Sequence, residues 1–126
     1  IEAYKHLFQS LKPLFLLRYN NNSYIEWLQN IENDYLHFGD FDLSGIAIYI
    51  SNFRKKLPEN RCRFFIPPNI EAFIKNSKNR QNYFKQLNDN TVKSLNFEDY
   101  PELMPLVQLI RQEQKTLEQE TLMRLK

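Results

Sequence analysis

Apolar positions along the chain fall into short blocks whose spacing alternates between helical and extended periods. Tyr4, Leu7, Phe8 and Leu11 share a helical spacing across residues 2–11, which Pro13 ends. The run Leu14–Leu17 predicts a short buried strand over about 14–18. Three asparagines and a serine then form a turn, with Asn22 or Ser23 as N-cap of a helix whose apolar face is Tyr24, Trp27, Leu28 and Ile31. Asn33 and Asp34 close that helix, and the run "YLHFG" predicts a second strand at 35–39. Ile46, Ile50, Phe53 and Leu57 recur at intervals of four, three and four, the pattern of an amphipathic helix stopped by Pro58. "RCRFFI" predicts a third strand, within 61–66, ended by Pro67 and Pro68. The remainder reads as helices over about 69–76, 80–88 and, as one long closing helix, 101–124.

Strand, helix, strand, helix, strand with short connections implies a parallel sheet flanked by helices, an α/β fold. Residues 1–126 read as a single domain, and a first residue that is not methionine leads us to expect a domain cut from a longer protein, its C-terminal part if the family resemblance given below holds. Hydrophobic residues make up 42% of the chain, too many for an intrinsically disordered segment. A net charge of +2 excludes binding to nucleic acid by overall charge, though not through a local basic patch. The single cysteine, Cys62, excludes an internal disulfide and a cysteine-rich zinc site, and its neighbours "CRFFI" mark it as a buried small residue. No apolar run approaches the roughly 20 residues that span a bilayer. The expected setting is the cytoplasm, with no membrane partner.

Both glycines of the chain flank an aspartate pair, in "HFGDFDLSG" (37–45). In a parallel α/β sheet the carboxyl ends of the strands face the ligand crevice. Asp40 and Asp42, leaving the second strand, are placed at that edge. Alternate side chains of an extended segment share a face, so both carboxylates can point into one cleft and repel unless a cation or protons sit between them. A hard divalent ion such as Mg²⁺ takes one or two carboxylates with water and phosphate oxygens. The plainer alternative is a solvated turn in which Asp42 or Ser44 caps the following helix.

Two stretches bear on that choice. "YLHFGDFDLSGIAI" resembles the strand, aspartate pair and helix of Toprim domains of the topoisomerase VI A subunit type. It is closer still to the C-terminal domain of JetD, the nuclease of the Wadjet anti-plasmid system. "YPELMPLVQLIRQEQKTLEQETL" resembles that group's closing helix with its Leu-Glu-Gln-Glu signature, here Leu117 to Glu120. Order and spacing agree across roughly residues 12–124. The resemblance implies a Toprim-like fold, Mg²⁺ or Mn²⁺ as cofactor, and DNA as partner, with other defence-system or condensin-like subunits. It also implies Mg-dependent DNA strand cleavage. Carried over residue by residue, it assigns metal binding to Asp40 and Asp42 and makes Glu118 and Glu120 catalytic acids beside them. The pattern departs at the end of the first strand, where such domains carry a glutamate. Tyr19, followed by Asn20, stands there, with Arg18 the alternative in a one-residue slip. Neither supplies a carboxylate, so a degenerate domain that has lost catalysis and serves as a structural or DNA-docking module is the competing expectation.

Lys75, Lys78, Arg80 and Lys85 lie among polar and aromatic residues in "IKNSKNRQNYFKQ", a pattern that can track a phosphate backbone. A solvated helical face with Tyr83 and Phe84 turned inward gives the same pattern. His37, inside the second strand, reads as a core histidine rather than a ligand. No glycine-rich phosphate loop, Ser-His-Asp order or Cys/His zinc spacing occurs.

Overall fold

A computed structural model describes residues 23–58 and 61–124. Ser23–Gln29 forms helix α1, Tyr35–His37 strand β1 and Leu43–Tyr49 helix α2, which runs on through a π-helical turn at Ile50–Arg54. Cys62–Phe64 is strand β2. Helices α3 (Ile70–Asn76), α4 (Arg80–Gln86) and α5 (Asn90–Ser94) follow. Two 3₁₀ turns, Phe97–Asp99 and Pro101–Leu103, lead into α6 (Met104–Glu113), and α7 is Gln119–Arg124. This is a mixed, helix-rich α/β arrangement.

Among the described residues the sheet is β1 and β2, paired in parallel with Tyr35 opposite Cys62 and His37 opposite Phe64. The parallel pairing expected from the alternation of elements is what forms. The strands are shorter than their apolar runs because only their first three residues pair, with Phe65 N–H adding one more bond to the His37 carbonyl at 2.8 Å. The helix expected at 2–11 and the strand at 14–18 lie outside the described residues.

The core is built on the spacing of α2 and its π turn. Ile46, Ile50, Phe53 and Leu57 are all buried, as their intervals require. Lys55 N–H reaches back five residues to the Ile50 carbonyl at 3.0 Å, the bond that defines the wider turn. Phe53 stacks on Tyr35 at 4.6 Å and 11°. His37 is enclosed by the rings of Tyr49, Phe53 and Phe64, and its Nδ1 shares a 2.8 Å hydrogen bond with the Tyr35 hydroxyl. It is the core histidine that its place in a strand implies. In α1, Ile25 and Leu28 face inward, while Trp27 is 44% exposed. The helix ends at Gln29, so its buried arc is set by that pair and Trp27 falls outside it.

The expected long helix over 101–124 is replaced by two helices. Gln114 adopts a left-handed conformation (φ 55°, ψ 42°), its N–H bonds the Ile110 carbonyl, and α6 stops. Thr116 then pairs antiparallel with Asn79, and Leu117 with Phe41. Phe41, just beyond β1, is buried, and buried backbone groups require partners. Leu117 supplies both, accepting from Phe41 N–H at 2.8 Å and donating to its carbonyl at 3.2 Å. Those two bonds need extended backbone where a helix would have continued.

Gly45, in the first turn of α2, is fixed by proximity. A Cβ there would lie 2.5 Å from the Asp40 carbonyl oxygen and 2.9 Å from Asp42 Oδ1. Alanine normally gains about 1 kcal/mol over glycine in a helix. Here the collision is with backbone that cannot swing aside, and Gly45→Ala is expected to cost about 1–3 kcal/mol net. Denaturant unfolding checks this; an alanine variant as stable as the unmodified chain contradicts the packing described.

Candidate functional site

The acidic turn is held from both ends. Asp42 caps α2: its backbone is extended, and Oδ1 accepts the Gly45 N–H at 2.5 Å. It is buried. Burial pushes the Asp42 carboxyl above the ordinary carboxylate range. The Gln86 amide and Gly45 N–H oppose this rise, the Asp40 charge adds to it, and the Asn82 amide opposes it again. Asp40 is exposed, and its Oδ1 accepts the Gln119 N–H, the first residue of α7, at 2.9 Å. One aspartate therefore caps the helix that follows it, and the other bonds the start of a helix 79 residues away. The plainer alternative for Asp42, a cap on the following helix, is what forms.

Glu118 is exposed and directly precedes α7, next to the residue that Asp40 holds. Glu120 belongs to the first turn of α7. Tyr19 and Arg18, the alternatives for the missing first-strand glutamate, lie outside the described residues. Of the basic residues, Lys75 lies in the last turn of α3 and pairs with Glu71 at 2.8 Å on the surface. Lys78 is exposed in the link to α4. Arg80 opens α4 and donates from Nη1 to the Glu113 carbonyl at 3.1 Å, and Lys85 lies in that helix's last turn. Tyr83 packs inward, but Phe84 is 48% exposed, so only half of the inward-facing aromatic pair forms. The reason is position: Tyr83 shares its face with Gln86, which meets the acidic turn, and Phe84 is a step round the helix.

A polar network around the turn was not anticipated. Ser44 N–H donates to Gln86 Oε1 at 3.2 Å, and Ser44 Oγ to Asp89 Oδ2 at 3.2 Å. Asp89 in turn caps α5 through Thr91 N–H. Asn82 Nδ2 reaches Thr116 Oγ1 at 3.2 Å, and Ser77 Oγ donates to the Thr116 carbonyl at 2.6 Å. The sequence does hold one signal for this: Gln86 is a polar residue three positions from Tyr83, on the helix face that is otherwise apolar. Cys62 is buried as expected, and burial raises its thiol pKa, which makes it a poor nucleophile.

A family model described as a domain of unknown function, DUF7281, matches residues 10–126. The chain belongs to that family. No curated protein and no solved structure matches it. In this DUF7281 chain the donors at the turn are hard oxygens, one carboxylate exposed and the other buried beside it. That set suits a divalent ion held by two carboxylates with water or phosphate completing the shell. Among the described residues no group of three or more histidine, cysteine, aspartate or glutamate side chains is placed to hold a metal. No helix of the described residues is long and apolar enough to cross a membrane.

The burial of Asp42 has a pH signature. Folding raises its pKa above the unfolded value, so its contribution to stability is full below the unfolded pKa and is lost as pH rises through the folded one. Asp42→Asn keeps a capping oxygen and removes the charge. Its stability relative to the unmodified chain should thus improve as pH rises from acid towards neutral. Asp42→Ala, which loses the cap, should cost about 1 kcal/mol or more. Denaturant midpoints across pH check both; parallel pH curves for Asp42→Asn and the unmodified chain contradict the assignment.

Proposed function

We propose that the chain is a Toprim-like domain of a DNA-processing protein, in which Asp40 and Asp42 bind Mg²⁺ or Mn²⁺ for cleavage of a DNA strand. One observation carries this reading. The two stretches that resemble the topoisomerase VI A and JetD group meet in space, through the Phe41–Leu117 pairing and the Asp40–Gln119 hydrogen bond. Acidic residues far apart in the chain thereby share one edge: Asp40 and Asp42 on the turn, Glu118 just before α7.

In this reading Gly45 N–H orients the Asp42 carboxylate, and Gln119 N–H orients that of Asp40. When bound, the divalent ion polarises a phosphodiester and stabilises the charge gained in the transition state. Glu118, exposed beside the turn, is the carboxylate available to take a proton from the attacking water. Glu120 follows it in the same signature. Lys78, Arg80 and Lys85, on and before the helix that carries Gln86, supply phosphate contacts, and Lys75 contributes less because Glu71 already pairs with it. The resemblance also carries the proposed setting, a cytoplasmic plasmid- or phage-defence system with condensin-like partner subunits.

A second reading is favoured by the enclosure of Asp42, whose carboxylate is already engaged by protein donors, and by Tyr19 in place of a glutamate. It is a domain that docks DNA and does not cut it. Calorimetry with Mn²⁺ and plasmid nicking separate the two. A unit charge at contact distance is worth well over ~1.4 kcal/mol at an effective dielectric of ~20. Asp40→Asn is therefore expected to weaken Mn²⁺ binding by about tenfold or more. Metal-dependent nicking lost in Glu118→Gln supports the cleaving domain. Retention of DNA in gel shifts without nicking supports the docking module, and a chain that neither binds Mn²⁺ nor retains DNA contradicts both.

A further inference from the structure

Helix α4 leaves an apolar pair uncovered on its outer side. Phe84 is 48% and Leu87 41% exposed, and Arg80, Gln81 and Asn88, at helical spacing from Phe84, are exposed with them. The Phe84 ring is braced from beneath. It meets the ring of buried Tyr83 at 5.3 Å and 82°, edge against face, while about half of the residue stays open to solvent. The surroundings are of one sign. From Ala72 to Asn88 the chain carries four cations, Lys75, Lys78, Arg80 and Lys85, and no acid. The acids at either end are engaged: Glu71 pairs with Lys75, and Asp89 accepts from Ser44 Oγ and Thr91 N–H, towards α2 and α5. Lys78 and Lys85 are exposed and make no ion pair among the described residues.

We infer that this face of α4 binds a single strand of DNA, with Phe84 as the platform for one base and Lys78, Arg80 and Lys85 on the flanking phosphates. The inference rests on the DNA reading of the chain for the identity of the polymer, and it involves neither the acidic turn nor a metal ion. The cations alone would serve a duplex equally, since phosphate contacts carry no information about the bases. The ring decides between the two. Each base inside a duplex is covered on both faces by its neighbours, whereas a single strand offers bare faces that stack on an aromatic side chain whatever the sequence. A protein partner suits this face less well. The centres of protein interfaces are depleted of charge, and here the apolar pair is edged by Arg80 and Lys85.

The test is fluorescence anisotropy on the full chain with EDTA present, using a labelled oligothymidylate of about 12 nucleotides and a duplex of the same length. Phe84→Leu keeps an apolar side chain on an exposed position and removes the ring. It should weaken binding of the single strand by about tenfold and leave binding of the duplex unchanged. Phe84→Trp, which keeps a platform, should bind the single strand as well as the unmodified chain does. Lys78→Gln combined with Lys85→Gln should weaken both polymers and flatten the salt dependence of each. If Phe84→Leu holds the single strand like the unmodified chain, or loses both polymers equally, the platform is overturned while the DNA reading stands. A dimer in sedimentation that Phe84→Leu abolishes would then assign the face to a second copy instead. An unmodified chain that binds neither polymer would overturn the DNA reading and the platform together.

Discussion

The two hydrogen bonds between Phe41 and Leu117 constrain everything around the acidic turn. Phe41 is the residue between the aspartates, and its buried backbone has no strand beside it once β1 has ended. Drawing Leu117 into that position stops α6 at Gln114, makes 116–117 extended and starts α7 where Gln119 can meet Asp40. The turn is thus closed by the far end of the chain. Its geometry depends on a contact with a high entropic cost of loop closure, offset by burial of Phe41 and Leu117 in the core.

Around this junction the polar groups are shared between structure and candidate chemistry. Asp42 is both the cap of α2 and the buried half of the carboxylate pair. Gly45 must lack a side chain so that the cap can close against the Asp40 carbonyl. Gln86, Asn82 and Thr116 tie α4 to the turn on one side and to the C-terminal segment on the other. Local stability and the orientation of the carboxylates are consequently the same interactions. A substitution that loosens one should loosen the other, and binding of a cation should stiffen both.

Much of the fold around the site was legible in the sequence because it follows local periodicity. Ile46, Ile50 and Phe53 specify the buried face of α2 and its π-helical turn, which ends at Arg54, four residues short of Pro58. The apolar runs at 35–39 and 62–66 specify two strands, and the short helical connection between them makes those strands parallel. The break at Gln114 was not legible. "LVQLIRQEQKTLEQETL" has helical spacing throughout, and only the backbone of Phe41, distant in sequence, requires 116–117 to be extended. For the same reason Asp40 was recognisable as a candidate, but its bond to Gln119 was not. Gln86 was missed because a glutamine on a helix reads as surface unless its neighbours' faces are known. The spacing of Tyr24, Trp27, Leu28 and Ile31 predicts a face running to Ile31, whereas α1 stops at Gln29 with Ile25 and Leu28 as its buried pair and Trp27 exposed.

The central claim is that the aspartate turn and the segment before α7 form one cation-binding edge. Anomalous diffraction from crystals grown with Mn²⁺ tests it most directly. The account predicts a peak between the Asp40 and Asp42 carboxylates at oxygen distances of about 2.0–2.2 Å, with Leu117 still paired to Phe41. A peak elsewhere on the chain, or an empty turn with residues 116–119 drawn away from it, would contradict the account.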